Sequence, residues 1–379
     1  MQDNKYINIG MATIFAIILI PFLSIAGIRQ AIPDTVYRGW QIFSFLFLFL
    51  VICATRLRSI KSNWITVLFV AYHITILCST FLNQGFSSGI LVVTTVYILI
   101  FILLQTSYFN TMLVSISVIV TLTLVINFGT VFREMGEEYA NFFIGGKNAL
   151  SMFLVPGAFL LLSNVLNRYG KIKRTTIFLV VMCFASIFVG ASVTGMLVAT
   201  IAVVFMILSK KNNVNKKVYI IPILIVYILF IIFSEFFFAT QYWIKFTAFL
   251  GKDSTLTSRT IIWNIAKELI SDNWLFGAGR GVSFSYKNAW NGITTMEEAH
   301  NFILEILMEG GVIALTIYVT LLYKIIRRLN IRDIRHKTIF IALCCIMING
   351  LTESIVNNLL VTIILGVACR YANEKGVSM

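Results

Sequence analysis

Charged residues are scarce in this 379-residue chain. They make up 12% of it, whereas 59% of the residues are hydrophobic and the mean hydropathy is +0.90. A soluble domain is usually about 25% charged and about 45–50% apolar, so this composition excludes an ordinary soluble protein. The apolar runs are continuous, whereas the strands of a membrane β-barrel alternate. The composition therefore predicts an all-α, polytopic helical membrane protein.

Metal-binding residues are also sparse. The three histidines, His73, His300 and His336, are scattered, and the six cysteines lie in or at the ends of apolar runs without metal-ligand spacing. We therefore expect the cysteines to be small buried hydrophobic residues and expect neither a metal nor another cofactor. A cleavable signal is not expected, because no small-residue cleavage site follows the first apolar run.

Long apolar runs make up most of the sequence. A membrane-crossing helix needs about 20 mostly apolar residues, and the chain has room for about a dozen. Residues 1–379 are predicted to form one integral membrane domain, in which the pair of helices around 175–209 is separated only by 190–192. The predicted spans are 8–28, 38–55, 64–82, 88–105, 110–128, 148–166, 175–191, 193–209, 218–236, 303–323, 337–351 and 355–370.

The net charge of +14 is unevenly distributed along the chain. Twenty of the 30 basic residues lie near the termini or in alternate links, around 56–61, 168–174, 210–217 and 324–337. Such asymmetry is typical of cytoplasmic loops, so we predict that these links and both termini are cytoplasmic. The same distribution argues against nucleic acid as a partner.

One segment, residues 237–301, stays polar or mixed and is predicted to be a long extracytoplasmic loop. Thr257 or Ser258 can cap an amphipathic helix over about 259–271. The glycines of 277–281 then predict a tight turn, and a polar run follows to Glu298. A long wet segment in a lipid-facing chain is where chemistry or recognition is expected.

Two arginines in this loop are candidate anion ligands. Arg259 opens the amphipathic helix and Arg280 lies in the glycine turn. Their planar guanidinium groups suit phosphate oxygens, although pairing with lipid headgroups or surface acids is the alternative. The glycine turn does not predict a nucleotide site, because no strand pattern precedes it and the Lys-Ser/Thr pair of a phosphate loop is missing.

His300 stands where the long loop re-enters the membrane. Asn301, Glu305 and Glu309 follow it as a polar stripe on an otherwise apolar helix. Carboxylates at that depth are costly unless they face a polar cavity or a partner. The other two histidines are interpreted differently, His73 as a packed residue within a helix and His336 as a solvated residue of a basic link.

Together these motifs resemble the O-antigen ligase and polymerase superfamily. The resemblance is best over about 140–325 and includes the entrance to the sixth span at Gly145–Leu150. It implies a GT-C-like helical fold and a metal-independent glycosyl transfer outside the cytoplasm. The matching motifs in the loop and after it are Ser258–Trp263, Trp274–Gly281, His300–Leu304 and Glu309–Gly311.

The resemblance also implies roles for single residues. His300 would be the catalytic base, Arg259 would contact the diphosphate of the substrate, and Arg280 would be a second diphosphate ligand, with Asn301 and Glu305 in support. Many members carry a Ser-Arg pair near the start of the helix at 193, where this chain has Val193-Thr194. A second cation must then come from elsewhere, with Arg280 or Lys147 as candidates.

The expected function is that of a polysaccharide repeat-unit polymerase for capsule, exopolysaccharide or O-antigen in a bacterial cytoplasmic membrane. The donor and acceptor would both be oligosaccharides linked to polyprenyl diphosphate in the bilayer, with a flippase and a chain-length regulator as further expected partners. One alternative is a ligase that moves finished glycan to a lipid core or a protein. Another is a transporter or flippase of lipid-linked sugars, although transporters tend to show paired broken helices near the midplane.

Overall fold

A computed structural model of the protein describes residues 9–55, 63–135, 140–209, 215–232, 240–241, 245, 259–288 and 292–374. Most of 237–258, with the predicted cap at Thr257 or Ser258, lies outside the described residues. The helices up to residue 232 are α1 (Ile9–Leu19), α2 (Ala26–Ala31), α3 (Asp34–Ala54), α4 (Trp64–Gln84), α5 (Ser88–Leu103), α6 (Phe109–Arg133), α7 (Lys147–Tyr169), α8 (Arg174–Val189), α9 (Val193–Leu208) and α10 (Lys217–Ile232).

The C-terminal part adds an outer segment and three further bundle helices. The outer segment has α11 (Arg259–Asp272), which matches the predicted amphipathic helix, and a hairpin of β1 (Phe284–Asn288) and β2 (Gly292–Met296). The bundle helices are α12 (Phe302–Arg328), α13 (Ile334–Asn349) and α14 (Leu359–Ala372).

Each stretch predicted to cross the membrane contains a helix. Among the described residues, five helices, α3, α4, α6, α7 and α12, are long and apolar enough to cross a membrane, and six apolar stretches of helix are shorter. The chain is therefore a multi-pass, all-α membrane protein. The number of spans and the orientation of the termini stay predictions.

The first predicted span, 8–28, is wrong in its extent. Helix α1 ends at Leu19, and a 3-10 turn over Ile20–Phe22 contains Pro21, whose ring removes a backbone donor. The Pro21 carbonyl instead accepts hydrogen bonds from Tyr37 Oη at 2.7 Å and Gln41 Nε2 at 3.1 Å, both on α3. Ser24 then adopts a left-handed φ of 52°, and the chain turns into α2.

The core of the bundle is formed by α7, α13 and α14, which are buried over most of their length. Helices α3, α8, α9 and α10 lie at the periphery and expose apolar side chains, as expected of surfaces that face lipid. Cys53 and Cys78 are exposed too, so their predicted burial is wrong, whereas the other four cysteines are buried.

The hairpin was not predicted, because the run to Glu298 was interpreted only as polar. Its strands pair antiparallel, with Phe284 opposite Met296 and Asn288 opposite Gly292. Phe284 and Tyr286 pack with Ile262, Trp263 and Ala266 of α11 and with Leu304 and Met308 of α12 in a small second core. This core seats the outer segment on the end of α12.

Basic links and the outer segment lie at opposite ends of α12. Lys216 Nζ donates to the Ile326 carbonyl at 2.8 Å near the C-terminus of α12, whereas His300 precedes its N-terminus. The 27 residues of α12, which is interrupted at Gly311, extend at most roughly 40 Å at a rise of about 1.5 Å per residue, which is enough to separate two membrane faces. His336 lies at the basic end, but it is buried and stacks on Tyr371, so its predicted solvation is wrong.

Candidate functional site

The N-terminus of α12 is fixed to the loop that joins α13 and α14, residues 350–358. Asn301 caps the helix, because its Oδ1 accepts from the amides of Ile303 and Leu304 at 3.0 and 3.1 Å. Its Nδ2 donates to the Leu351 carbonyl at 3.0 Å, and the Phe302 amide donates to the Gly350 carbonyl at 2.7 Å. Asn301, a predicted supporting residue, therefore connects the two segments that carry the site.

His300 is held by both of its backbone groups. It has a left-handed φ of 48°, its amide donates to Ser354 Oγ at 2.8 Å, and its carbonyl accepts from Trp263 Nε1 at 3.3 Å. Its side chain is 21% exposed, so a substrate group can reach the ring. An unusual backbone conformation that the surroundings enforce is often found at functional sites.

Glu353 contacts two of the three residues for which the sequence predicted chemistry. Its Oε1 forms an ion pair with Arg259 Nη2, and its Oε2 lies 3.7 Å from His300 Nδ1. The carboxylate is 1% exposed and the Arg259 side chain 10%. A buried carboxylate beside a guanidinium and an imidazole can both neutralise the cation and orient the ring.

Glu353 was missed in the sequence, although a signal was present. It is the only charged residue between Lys337 and Arg370. An ionisable residue in such an apolar stretch is by default a functional candidate with a partner. Its partners are more than 50 residues away in the sequence, and only the fold brings them together.

Glu305 supports the turn at His300 without contacting its ring. Its Oε2 accepts from the Ala299 amide at 2.6 Å and from Ser354 Oγ at 2.9 Å. Ser354 thus accepts from the His300 amide and donates to Glu305. This chain of hydrogen bonds fixes the backbone on both sides of the imidazole.

Arg280 is paired with a different carboxylate. Its Nε and Nη2 donate to the two oxygens of Glu309, each at 3.1 Å. Burial lowers the pKa of the Arg280 guanidinium, but the charge and hydrogen bond of Glu309, together with Tyr72 and Tyr97, raise the pKa above its ordinary value. Arg280 is therefore a permanent cation in a buried ion pair, and its predicted contact with a diphosphate stays a prediction.

Near Thr194, where many members of the superfamily carry an arginine, this chain forms a hydrogen bond between two hydroxyl groups. Thr194 Oγ1 lies 3.0 Å from Thr352 Oγ1, next to Glu353 in the sequence. Lys147 begins α7 and is half-buried. That helix reaches the same loop, because Asn358 Nδ2 donates to the Met152 carbonyl at 3.2 Å.

No metal site is evident in the part of the chain that the structure describes, where no group of three or more His, Cys, Asp or Glu residues could hold an ion. Metal-independent chemistry stays a prediction.

Comparison with known proteins gives one family match. Residues 178–319 match the model of the family described as O-antigen ligase. No curated protein and no solved structure matches the chain. The matched region runs from α8 into α12 and contains Arg259, Arg280 and His300, whereas Glu353 and Lys147 lie outside it.

Proposed function

We propose, because the chain belongs to the O-antigen ligase and polymerase superfamily, that it is a polysaccharide repeat-unit polymerase. It acts at the outer face of a bacterial cytoplasmic membrane, with both termini in the cytoplasm. Its donor is a glycan linked to polyprenyl diphosphate, and its acceptor is a single lipid-linked repeat unit. A flippase would supply both substrates, and a chain-length regulator would limit the product.

The observation that supports this reaction is the shared carboxylate of Glu353. It contacts both a candidate base and a candidate diphosphate ligand, His300 and Arg259. Glycosyl transfer from a diphosphate ester needs both groups, because a proton leaves the acceptor while negative charge develops on the leaving diphosphate.

In the proposed reaction, the imidazole of His300 removes the proton from an acceptor hydroxyl group. The hydroxyl oxygen forms a bond to the anomeric carbon of the donor sugar, and the bond from that carbon to the diphosphate oxygen breaks. The electron pair of the broken bond leaves with the diphosphate. In this proposal Glu353 keeps the proton of the imidazole on Nδ1, so that the lone pair lies on Nε2. Nδ1 and Glu353 Oε2 are 3.7 Å apart, and the proposal requires this separation to shorten to a hydrogen bond in the substrate complex.

Arg259 stabilises the leaving group. Its guanidinium forms an ion pair with Glu353, and in the proposed reaction the diphosphate becomes a second anion on the same guanidinium. Asn301 and Glu305 hold the His300 turn, and Lys147 stays the candidate for a further cation near the diphosphate. No bound nucleotide is needed, because the diphosphate ester is already an activated donor.

A ligase is the second candidate, and the family description itself favours it. The same base and the same cation would serve, but the acceptor would be a lipid core or a protein. Only the acceptor and the length of the product separate the two reactions.

The test is polymer formation from purified lipid-linked repeats by the reconstituted protein without added metal. His300→Gln keeps hydrogen bonding but not basicity, so turnover should fall by about 10²–10⁴-fold while binding of the donor is retained. His336→Gln, reconstituted at equal amount, is the matched control at the opposite end of the bundle.

Near-normal turnover of His300→Gln would show that His300 is not the base. Offering a lipid-core acceptor in a parallel reaction separates the two candidates: long lipid-linked chains indicate a polymerase, whereas a single transfer to the core indicates a ligase.

A further inference from the structure

Helix α12 is not continuous, and the glycine-rich segment fills its interruption. Gly311 has a φ of +64°, which breaks the helical ladder. The Met308 carbonyl accepts from the Ala278 amide at 2.7 Å, and the Val312 amide donates to the Trp274 carbonyl at 2.9 Å. Backbone groups freed by the break are thus satisfied by residues 274–278.

This arrangement requires glycine on the inserted segment. A side chain at Gly277 would place its Cβ 2.5 Å from the Gly310 nitrogen, and one at Gly279 would meet the Thr80 Cα at 2.6 Å. The segment therefore lies backbone to backbone between α12 and α4. Polar groups of α4 complete its hydrogen bonds, because Ser79 Oγ donates to the Gly277 carbonyl at 3.0 Å.

Arg280 ends this segment and connects it to three other elements. Beyond its two bonds to Glu309 of α12, it donates from Nη1 to Thr94 Oγ1 of α5 at 3.0 Å and from Nη2 to Asn357 Oδ1 of the 350–358 loop. Asn357 Nδ2 in turn donates to Glu309 Oε1 at 2.7 Å. Arg280, Glu309 and Asn357 form a closed group that we call the arginine lock.

The guanidinium has little capacity left for a substrate. An arginine has five N–H donors, and four hydrogen bonds to protein oxygens are present. The side chain is only 11% exposed. Arg259, by comparison, meets the carboxylate that also contacts His300.

The arginine lock and the candidate site are built on the same two segments, which we call the two supports: the N-terminal part of α12 and the 350–358 loop. Glu309 lies four residues after Glu305 on α12, and Glu305 fixes the Ala299 amide. Asn357 lies four residues after Glu353 in the 350–358 loop. A displacement of either support at the lock would therefore move His300 relative to Glu353.

We propose that Arg280 is a positioning residue, which acts through Glu309 and Asn357 to hold the 350–358 loop against the N-terminus of α12. It keeps Glu353 beside His300 and does not bind the diphosphate. This inference rests on the proposed function for its consequence on turnover, but the geometric claim can be tested without turnover.

The first experiment measures hydrogen exchange of the reconstituted protein in Arg280→Lys and Glu309→Gln. Local opening is reported by the amides that join the two supports, those of residues 299–305 and 350–358. In both variants we expect these amides to exchange about 10-fold faster or more, with exchange in α6 and α7 unchanged. Thr94→Val removes one acceptor of Arg280 and should give a smaller acceleration; it remains informative if Glu309→Gln does not accumulate.

The second experiment separates positioning from diphosphate binding, with a short-chain polyprenyl diphosphate in detergent micelles as the probe. Arg280→Lys and Glu309→Gln should bind the probe within about threefold of the wild type and lose kcat without a rise in KM. Arg259→Lys should weaken binding by about 10-fold or more, because a planar fork is replaced by a point charge.

Different outcomes would overturn the positioning role of Arg280 and the proposed polymerase function. Unchanged exchange at 299–305 and 350–358, or loss of probe binding in Arg280→Lys but not in Glu309→Gln, would overturn the positioning role. A wild-type protein that binds the probe yet makes no polymer would overturn the proposed function alone, because the exchange comparison does not depend on turnover.

Discussion

At the scale of single residues, the site depends on one buried carboxylate with two partners. In Glu353→Gln the side chain keeps its shape, but Arg259 loses its anion and His300 loses the group that orients its ring. We expect kcat to fall by about 10²-fold or more. The KM for the donor should not rise, because without the carboxylate charge of residue 353 the whole charge of Arg259 is available to the diphosphate.

Steady-state kinetics on purified lipid-linked repeats would measure this split between kcat and KM. Glu374→Gln is a matched control, since Glu374 also pairs with an arginine, Arg335, at the opposite end of the bundle. A raised donor KM with unchanged kcat in Glu353→Gln would mean that the carboxylate contributes to binding rather than to orientation of His300.

Arg259 gives the complementary prediction. Arg259→Ala leaves Glu353 buried without its cation and removes the diphosphate ligand, so transition-state stabilisation should fall by about 2–5 kcal/mol. Arg259→Lys should lie between alanine and the wild type, because the charge is kept and the fork is lost. The ratio of kcat/KM values gives these energies directly, and equal values for Arg259→Lys and the wild type would contradict the proposed contact.

These residues were not equally visible in the sequence. His300 and Arg259 stand in a polar segment and in motifs that resemble a known superfamily, so both could be named in advance. Glu353 could not be paired with them, because nothing in the amino-acid sequence alone indicates that the 350–358 loop meets residues 259 and 300. Arg280 was named as well, but its ion pair with Glu309 depends on the interruption of α12.

At the scale of secondary structure, the glycine segment that enters α12 makes a prediction about stability. Gly277 combines a positive φ of 73° with backbone atoms of α12 that would lie less than 3 Å from a Cβ atom at this position, whereas Gly85 has a φ of 82° and open space around it. Alanine at Gly85 should therefore cost only the strain of a backbone conformation that is nearly restricted to glycine, φ 82° with ψ −167°, about 1–3 kcal/mol. Alanine at Gly277 should cost roughly 1–3 kcal/mol more, because α12 must shift.

Thermal unfolding in detergent would compare the two variants at equal protein concentration. The melting temperature of Gly277→Ala should fall clearly below that of Gly85→Ala. Equal melting temperatures would show that the glycine segment can move away from α12. The inference that Arg280, at the end of this segment, holds the 350–358 loop against α12 would then be wrong.

The helices themselves followed from hydrophobicity, since lipid requires long apolar segments whose backbone groups bond internally. The observed helices differ from the predicted ones where a proline, a capping residue or a glycine interrupts the apolar pattern. Pro21 ends α1 early, Asn358 caps α14 several residues after the predicted start of 355, and Gly311 interrupts α12. Asn291-Gly292 is a sequence signal for a hairpin, and Gly292 opens β2 opposite Asn288 with a φ of 78°, but the short polar strands did not stand out.

At the scale of the whole molecule, the basic links and the candidate site lie at opposite ends of the helical bundle. The site lies at the end of α12 where His300 precedes the helix, and Arg327 and Arg328 lie in its last turn. Links with many basic residues stay in the cytoplasm, so this polarity favours a site on the extracytoplasmic face of the membrane. The proposed donor and acceptor would be reached only from that side.

Cysteine labelling can test this orientation in intact cells. Ile293→Cys lies on the hairpin beside the site, where Ile293 is 79% exposed, and Lys171→Cys lies in an exposed basic link. A membrane-impermeant maleimide should label Ile293→Cys in intact cells and Lys171→Cys only after permeabilisation, because the positive-inside rule predicts that the basic link is cytoplasmic. The unsubstituted protein is the control, since its cysteines are buried or, at Cys53 and Cys78, lie on apolar helices. Labelling of Lys171→Cys alone in intact cells would place the site in the cytoplasm, and a polymerase that acts on exported repeats would then be excluded.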